Sequence, residues 1–283
     1  TSMKDFGYLL IVNSDSERKY HNMALLLASS IKRTQPKGYD KVCLVTDDSY
    51  YQKHQDIVFD SVKLVEGYKG WDQRNYMYNL SPFNHTVCLD VDMLFTRDIS
   101  HWIDHFVNKS DGLVITSNVL KYNNQPITSL KCRPGYKENN LPVLYSGFTY
   151  FNKQSGMASN FFKIVSHITE HKDEFKRVYM NKKYPPEIGT DEAFSIAVQI
   201  LGIQNSVTTN TSFPKFVHLK SELQDENISS INLDLGYSVD SSANICVGPF
   251  AQNEIIHYSE KDFPTDDLQY VYKTMILEGF KNV

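Results

Sequence analysis

The 283-residue chain has few cysteines, a small net charge and no apolar run long enough to span a membrane. Its four cysteines are widely spaced and form no Cys-x-x-Cys pair, so the sequence indicates neither a zinc site nor a disulfide framework. A net charge of −4 argues against a nucleic-acid partner. Because no signal peptide or transmembrane segment is recognisable either, we expect a cytoplasmic protein.

Three motifs that often carry chemistry are also missing. The chain has no Gly-x-x-x-x-Gly-Lys-Ser/Thr loop, no Gly-x-Gly-x-x-Gly after the first apolar run and no Gly-x-Ser-x-Gly elbow. Their absence disfavours P-loop nucleotidases, dinucleotide-binding oxidoreductases and α/β-hydrolases, in that order.

Short apolar runs alternate with amphipathic segments along the chain. Strands are predicted at residues 8–12, 41–46, 58–65, 86–95, 113–116, 144–151 and 254–256. Helices are predicted at residues 17–34, 71–80, 99–107, 156–171, 190–201 and 266–279. Residues 121–142 are polar, rich in Asn and Pro, and predict a long loop. This alternation is typical of an α/β fold with a mostly parallel central sheet flanked by helices.

The triplet Asp90-Val91-Asp92 lies inside one of these apolar runs. Residues two apart on a strand share a face, so we predict one continuous strand with both carboxylates on one side and Val91 on the other. Two ionised carboxylates in a dry core are unfavourable unless something offsets their charge. Water at a solvated strand end would do so, and so would a divalent cation that also binds the phosphates of a nucleotide.

Polar residues follow other predicted strands in the same way. Asn13 to Asp15 come after the first strand, and Asp47 comes after the second. Ligands of parallel α/β sheets gather at the carboxyl ends of the strands, so we expect these residues to lie at one edge with Asp90 and Asp92. Ser146-Gly147 lies inside a later strand, where a glycine often marks the close approach of a ligand or another backbone.

A third metal ligand could be His257, which ends an apolar run, or His218, whose local sequence is similar. Lys261, four residues after His257, could bind a phosphate as a point charge. A half-buried histidine with a purely structural role explains either position equally well.

Three further charged residues have both a functional and a structural interpretation. Arg74, on the helix before the Asp90 run, could contact a phosphate or a neighbouring acid, or could be solvated. Asp191 and Glu192 follow Thr190 at a helix start, where the helix dipole favours acids. They could instead contact a sugar hydroxyl or act as a general base.

The order of these segments resembles the GT-A glycosyltransferases, and most nearly the glycogenin-like, galactosyltransferase-type retaining enzymes. The resemblance covers most of the chain as a topology and only short stretches as motifs. The matching features are the helix with Arg74, Asp90-Val91-Asp92, Tyr145-Ser146-Gly147-Phe148, Thr190-Asp191-Glu192, and His257 with Lys261. It implies one GT-A domain, 1–283, with a nucleotide-binding half at about 4–118 and an acceptor-binding half at about 119–283.

The resemblance also implies a reaction, the transfer of a hexose from a UDP-sugar such as UDP-glucose or UDP-galactose to a glycan, lipid or protein. It implies Mn²⁺ or Mg²⁺ on Asp90, Asp92 and His257. The implied donor-binding residues are Asn13, Asp15, Asp47, Arg74, Asp90, Ser146, Gly147 and Lys261. The implied catalytic residues are Asp191, Glu192 and Lys261.

The sequence departs from the family pattern after His257. Family members usually carry a glycine between the histidine and the lysine, a wider spacing and a Pro-Trp after the lysine. Here Glu260 precedes Lys261, and Asp262-Phe263-Pro264 follow it. We expect retention of configuration; for inversion, Asp191 or Glu192 would be the candidate base. A sugar nucleotidylyltransferase and a non-catalytic carbohydrate-binding protein stay open as alternatives.

Overall fold

The computed structural model describes residues 5–13, 19–49, 58–66, 71–130, 133–179, 188–208, 212–224, 234–240, 242 and 244–258. The strands are β1 Phe6–Val12, β2 Val42–Thr46, β3 Ser61–Leu64, β4 His85–Leu89, β5 Met93–Leu94, β6 Leu113–Thr116, β7 Asn118–Leu120, β8 Tyr145–Asn152, β9 Lys215–His218, β10 Tyr237–Val239, β11 Ile245–Val247, β12 Phe250–Ala251 and β13 Ile256–His257. The α-helices are α1 Lys19–Thr34, α2 Met77–Leu80, α3 Ser100–Lys109, α4 Pro134–Glu138, α5 Gly156–Glu170, α6 Lys172–Tyr179, α7 Thr190–Leu201 and α8 Gln204–Val207. Among the described residues, 3₁₀ helices span Trp71–Tyr76 and Ser221–Leu223.

A six-stranded sheet in the order β3-β2-β1-β4-β8-β6 forms the centre of the fold. Strands β1 to β4 are parallel to one another, and β8 runs antiparallel to both of its neighbours, β4 and β6. The predicted α/β class with a mostly parallel central sheet is therefore confirmed. The antiparallel direction of β8 could not be predicted, because strand direction follows from the tertiary path of the chain.

Both faces of this sheet are covered by helices. Residues of β1 alternate between the two faces, as the two-residue period of a strand requires. Leu10 packs with α1 and α3 on one side, whereas Leu9 and Ile11 pack with α5 and α7 on the other. All seven residues of β1 are buried, which explains why its sequence is a continuous apolar run.

The described residues also form two smaller sheets. Strands β5, β13, β9 and β7 form a four-stranded sheet in that order, and β10, β11 and β12 form a three-stranded antiparallel sheet. In the four-stranded sheet, β13 is antiparallel to β5 and parallel to β9. This arrangement brings the end of β13 next to the segment that follows β4.

The predicted continuous strand through Asp90-Val91-Asp92 is wrong. Strand β4 ends at Leu89, and the chain turns at residues 91 and 92 before β5 begins. The apolar run is long because it supplies two strands that belong to two different sheets. Val91 therefore does not lie on the opposite face of a strand from the two acids. It packs against two apolar clusters, one at the central sheet and one at the smaller sheets.

Other predicted elements differ in detail. The first part of the predicted helix at 71–80 is a 3₁₀ helix, and the predicted loop at 121–142 contains the short helix α4. No sequence pattern predicted α6, α8, β7 or β9 to β12. The predicted helix at 266–279 lies outside the described residues, as do Asp15, Cys132 and Lys261. Cys43, Cys88 and Cys246 carry free thiols. Among the described residues, no helix combines the length and apolar character that a membrane-spanning segment needs.

Candidate functional site

Three polar segments follow neighbouring parallel strands at one edge of the central sheet. Val12 pairs with Thr46, and Leu10 pairs with Leu89, so the carboxyl ends of β1, β2 and β4 lie side by side. Asn13, Asp47 and Asp90 are the next residues after these strands. This edge is where parallel α/β sheets place their ligands.

Asp90, Asp92 and His257 converge at this edge. Each offers a ligand atom, and the three atoms lie within 4.8 Å of one another. The Nε2 atom of His257 is 3.0 Å from Oδ1 of Asp92 and 3.7 Å from Oδ2 of Asp90. Backbone hydrogen bonds fix the positions: the amide of Asp90 donates to the carbonyl of Gly147, and the amide of Tyr258 donates to the carbonyl of Asp92.

The donor set suits a divalent cation. Two carboxylate oxygens and one imidazole nitrogen are ligands that Mn²⁺ accepts, and Mg²⁺ prefers the oxygens. Neighbouring ligands of one octahedral ion lie about 3 Å apart, because each metal–oxygen bond is about 2.1 Å long. The separations of 3.0 and 3.7 Å are close to that spacing. The three residues therefore form a candidate metal site.

The charges at this site are strongly coupled. Burial and the Asp92 carboxylate raise the pKa of Asp90, although Arg74 opposes this. Burial would also raise the pKa of Asp92, but the charge and hydrogen bond of His257 lower it overall. Burial disfavours the charged form of His257, yet Asp92 and Asp90 outweigh it and raise the pKa of the imidazole. The two acids thus favour the protonated form of His257, and a cation bound at this site would compete with that proton.

Arg74 supports Asp90 from the 3₁₀ helix Trp71–Tyr76. Its guanidinium forms an ion pair with the Asp90 carboxylate and donates to the carbonyl of Ser146 at 3.0 Å. The side chain is mostly buried. The sequence suggested that Arg74 contacts either a phosphate or a neighbouring acid. The structure contains the contact with the acid, and this contact orients the Asp90 carboxylate.

Gly147 is required because β8 passes close to the acid pair. A Cβ atom built on Gly147 would lie 2.9 Å from Oδ2 of Asp90, closer than such atoms approach in folded proteins. The glycine in this strand therefore marks the close approach of a side chain that belongs to the candidate metal site.

Asp191 lies beside Ser146 and is held by three donors. Its Oδ1 accepts hydrogen bonds from the Ser146 amide at 2.7 Å and from the Ser146 hydroxyl at 2.6 Å. Its Oδ2 accepts from Arg133, which also donates to the carbonyl of Leu144 and lies over the ring of Tyr145. Burial alone would raise the pKa of Asp191, but Arg133 and Ser146 lower it overall. Asp191 is therefore a fixed carboxylate in the wall of the site.

Glu192 has a visible structural role at the start of α7. Its carboxylate accepts a hydrogen bond at 3.1 Å from the amide of Gly189, the residue just before the helix. Burial and the charge of Asp191 raise the pKa of Glu192. The interaction caps the first turn of the helix, which is the structural interpretation of an acid at this position.

His218 lies behind His257 rather than among the acids. The two residues are paired across β9 and β13, and their ring centroids are 4.3 Å apart. Nδ1 of His218 accepts a hydrogen bond from the amide of Lys220, and burial followed by the charge of His257 lowers its pKa well below the usual value. His218 packs against the His257 ring at an interplanar angle of 51° and does not belong to the candidate metal site.

Arg133 is the residue at this edge that the sequence reading did not single out. It lies within residues 121–142, whose length indicated a functional or disordered loop. Nothing in the local sequence marks this arginine, because Leu144 and Asp191, to which it donates hydrogen bonds, lie 11 and 58 residues further along the chain.

No protein-family model and no curated protein matches this sequence. Solved structures do match in fold. Mouse xyloside xylosyltransferase 1, in its apo form, is 13% identical with a TM-score of 0.52, over 89% of this chain and 97% of that one. The apo form of the glycosyltransferase GlyE from Streptococcus pneumoniae TIGR4 is 13% identical with a TM-score of 0.53, over 99% of this chain. This chain spans 64% of the GlyE chain. The chain therefore has a GT-A-like fold, shared with glycosyltransferases.

Replacing Gly147 tests the link between β8 and the candidate metal site. The methyl group of Gly147→Ala would collide with the Asp90 carboxylate and displace it. We expect Mn²⁺ affinity, measured by isothermal titration calorimetry, to fall by about 10- to 100-fold. Gly156→Ala is the matched control, because a Cβ atom there meets nothing within 4 Å. Equal affinity in the two variants would contradict the assignment.

The Arg133–Asp191 pair makes a second prediction. Arg133→Met leaves the Asp191 carboxylate buried without its cation, so we expect the free energy of unfolding to fall by about 2–4 kcal/mol. Urea denaturation measures the loss. Arg97→Met is the control, since Arg97 is 39% exposed beside Glu254 and its pair should contribute only about 0–1 kcal/mol. Adding Asp191→Asn to Arg133→Met should restore part of the loss; no restoration would show that the charge is not the cause.

Proposed function

We propose that this protein is a metal-dependent glycosyltransferase that moves a hexose from a UDP-sugar to a glycan, lipid or protein acceptor. The observation that carries the proposal is the convergence of Asp90, Asp92 and His257 at the carboxyl edge of a GT-A-like fold. A fold alone does not define an activity, so the proposal depends on this cluster of side chains.

In the proposed site, Asp90, Asp92 and His257 hold Mn²⁺ or Mg²⁺. The chemistry that such a cation supplies when bound is Lewis acidity toward the negative charge of a departing diphosphate. The protein contributes orientation: Arg74 fixes the Asp90 carboxylate, and the amide of Tyr258 fixes the backbone of Asp92. Lys261, assigned from the sequence, adds a positive charge for the leaving group.

The proposed donor subsites follow from the same edge. Asn13 and Asp47, which come directly after β1 and β2, and Asp15, which lies outside the described residues, bind the nucleotide. Ser146 and Gly147 on β8 face the transferred sugar. Their position supports this role, because Gly147 is next to Asp90 and Ser146 is bonded to Asp191.

We also propose that the reaction retains configuration at the sugar. An inverting enzyme needs a general base that is free to take the proton of the acceptor hydroxyl. Both oxygens of Asp191 already accept hydrogen bonds from protein donors, and Glu192 caps α7. These contacts support roles in positioning and substrate contact rather than in proton abstraction.

Nucleotide binding tests the proposed function directly. We expect Mn²⁺ with UDP at about 100 times its Kd to stabilise the protein by about 2.7 kcal/mol, which raises the Tm by about 5 °C. Asp92→Asn should abolish that shift relative to its own unliganded Tm. Asp111→Asn is the control, because Asp111 is exposed and lies beside Asn152, at the end of β8 opposite to Ser146 and Gly147. A screen of nucleotide sugars should then show release of free UDP that EDTA stops.

The other functions give different results in the same assays. Absence of a shift with every nucleoside diphosphate would contradict the glycosyltransferase proposal. Release of pyrophosphate from UTP and a sugar phosphate would identify a nucleotidylyltransferase instead. Glycan binding in EDTA without donor hydrolysis would favour a carbohydrate-binding protein.

The choice between the two histidines has its own test. His257→Ala removes a proposed ligand and should lower Mn²⁺ affinity at least about tenfold. His218→Phe keeps an aromatic ring behind His257 and should change the affinity less than about threefold. Titration calorimetry of both variants measures the difference, and a larger effect at His218 would reverse the assignment.

A further inference from the structure

Two histidines lie next to each other where α5 ends and α6 begins. His167 is in the last turn of α5, and His171 is the residue between Glu170, which ends α5, and Lys172, which begins α6. Their ring centroids are 4.2 Å apart. His167 is exposed and His171 is partly exposed, so both residues have surface that faces solvent. We refer to these two histidines as the junction pair; neither belongs to the candidate metal site.

The geometry of the junction pair suits a shared metal ion. His171 follows His167 by four positions, and residues at this spacing lie on one face of a helix. Two histidines placed in this way bind a single cation in helical zinc motifs. Bonds of about 2.0–2.1 Å from two imidazole nitrogens to one cation, at a right angle to each other, put the ring centres about 4.5 Å apart. The observed separation of 4.2 Å is close to that value.

A hydrogen bond to the backbone selects the tautomer of His171. Its Nδ1 lies 2.9 Å from the carbonyl oxygen of His167. Because a carbonyl oxygen only accepts, the neutral imidazole carries its proton on Nδ1 and keeps a lone pair on Nε2. Histidines that bind metals usually donate from their second ring nitrogen in this way, since the contact holds the ring in place. His171 is therefore oriented as a metal ligand before any cation binds.

The chain has another pair of histidines at the same spacing, His101 and His105 on α3. Each of these rings packs edge-on against Phe213, at centroid distances of 6.1 and 5.0 Å. Among the described residues, these two imidazoles make no ring contact with each other. Spacing alone thus does not bring two imidazoles together, and the contact within the junction pair depends on its place in the fold. The α3 pair supplies a matched control.

The donor set of the junction pair determines which cations fit. Imidazole nitrogens suit Zn²⁺, Ni²⁺ and Cu²⁺, whereas Mg²⁺ and Ca²⁺ require oxygen ligands. Among the described residues, no third histidine, cysteine or carboxylate joins the pair at ligand distance, so water would fill the other positions of a bound ion. The candidate metal site offers two carboxylates and one imidazole instead. We therefore expect the two sites to prefer different metals.

The junction pair also contacts the first turns of α6, a helix that contains no buried residue. The Phe175 ring packs edge-on against the His167 ring, with centroids 5.9 Å apart. The amides of Glu174 and Phe175 both donate to the carbonyl of His171, at 3.0 and 3.2 Å. A helix with little buried surface opens readily, so a cation that holds both imidazoles would stabilise its attachment to α5.

We propose that the junction pair binds one late first-row divalent cation, such as Zn²⁺, and that this cation stabilises α6 at the end of α5. Nε2 of His171 and a ring nitrogen of His167 are the protein ligands. Because this binding needs neither a nucleotide nor the acid pair, it is independent of the proposed transfer reaction.

The first test uses the full chain without an added histidine tag. The probe is Ni²⁺, whose unpaired electrons broaden the NMR signals of nearby amides, so that each site is observed separately. We expect micromolar Ni²⁺ to broaden the amides of residues 166–175, and excess Zn²⁺ to restore them by displacement. His167→Gln and His171→Gln should each weaken Ni²⁺ binding at this place at least about tenfold, as measured from the broadening curves. The combined control His101→Gln and His105→Gln should leave that binding unchanged.

Hydrogen exchange tests the effect on α6. With Ni²⁺ at about ten times its Kd, opening that breaks the junction becomes about tenfold rarer, because the cation binds the closed state. The amides of residues 175–179 should therefore exchange about tenfold more slowly with Ni²⁺ than without it. His171→Gln should show no such slowing at the same Ni²⁺ concentration.

Three results would overturn the proposal. Ni²⁺ fails to broaden the amides of residues 166–175, or both single variants bind Ni²⁺ there as tightly as the α3 control, or saturating Ni²⁺ leaves exchange in α6 unchanged. His167 is exposed, so His167→Gln should fold even if His171→Gln does not. Asp92→Asn should bind Ni²⁺ at the junction pair like the unaltered protein, which separates this result from any failure of nucleotide binding.

Discussion

The fold depends on holding two like charges, Asp90 and Asp92, where the chain passes from the six-stranded sheet into the four-stranded sheet. The pair is tolerated because cationic groups reach it from two directions. Arg74 comes from the 3₁₀ helix and pairs with Asp90, and His257 comes from the end of β13 and pairs with Asp92. Removing either partner leaves a carboxylate with little water around it, which is more costly than never burying the pair.

The need to accommodate the Asp90 carboxylate also explains the glycine in the neighbouring strand. Strand β8 lies beside β4, and its Gly147 gives the Asp90 carboxylate the room that any larger residue would occupy. Ser146, one residue earlier, donates two hydrogen bonds that hold the Asp191 carboxylate in place. Arg133 then ties Asp191 to the backbone of Leu144 at the start of this strand. Ion pairs and hydrogen bonds thus fix the Asp90 and Asp92 carboxylates, and they also fix Asp191 beside them.

The strands of the central sheet and the main helices could be predicted from the sequence because their signals are local. Buried strands such as β1 appear as unbroken apolar runs, and the period of α5 is visible within fifteen residues. The break at Asp90 to Asp92 was invisible, since two strands from different sheets give one apolar run when only a short turn separates them. For the same reason, only part of the site could be predicted. Asp90 and Asp92 are recognisable because they are adjacent in sequence. The placement of His257 relative to His218 and the role of Arg133 depend on contacts between segments that are distant in sequence.

One short element, the 3₁₀ helix Trp71–Tyr76, contacts both the acid pair and α5. A 3₁₀ helix has three residues per turn, so consecutive side chains point about 120° apart. Arg74 therefore reaches the carboxyl edge while Asn75, the next residue, faces α5 and bonds Thr169. A substitution at Asn75 would release the helix from α5 and move Arg74 with it, which would disturb Asp90 as well.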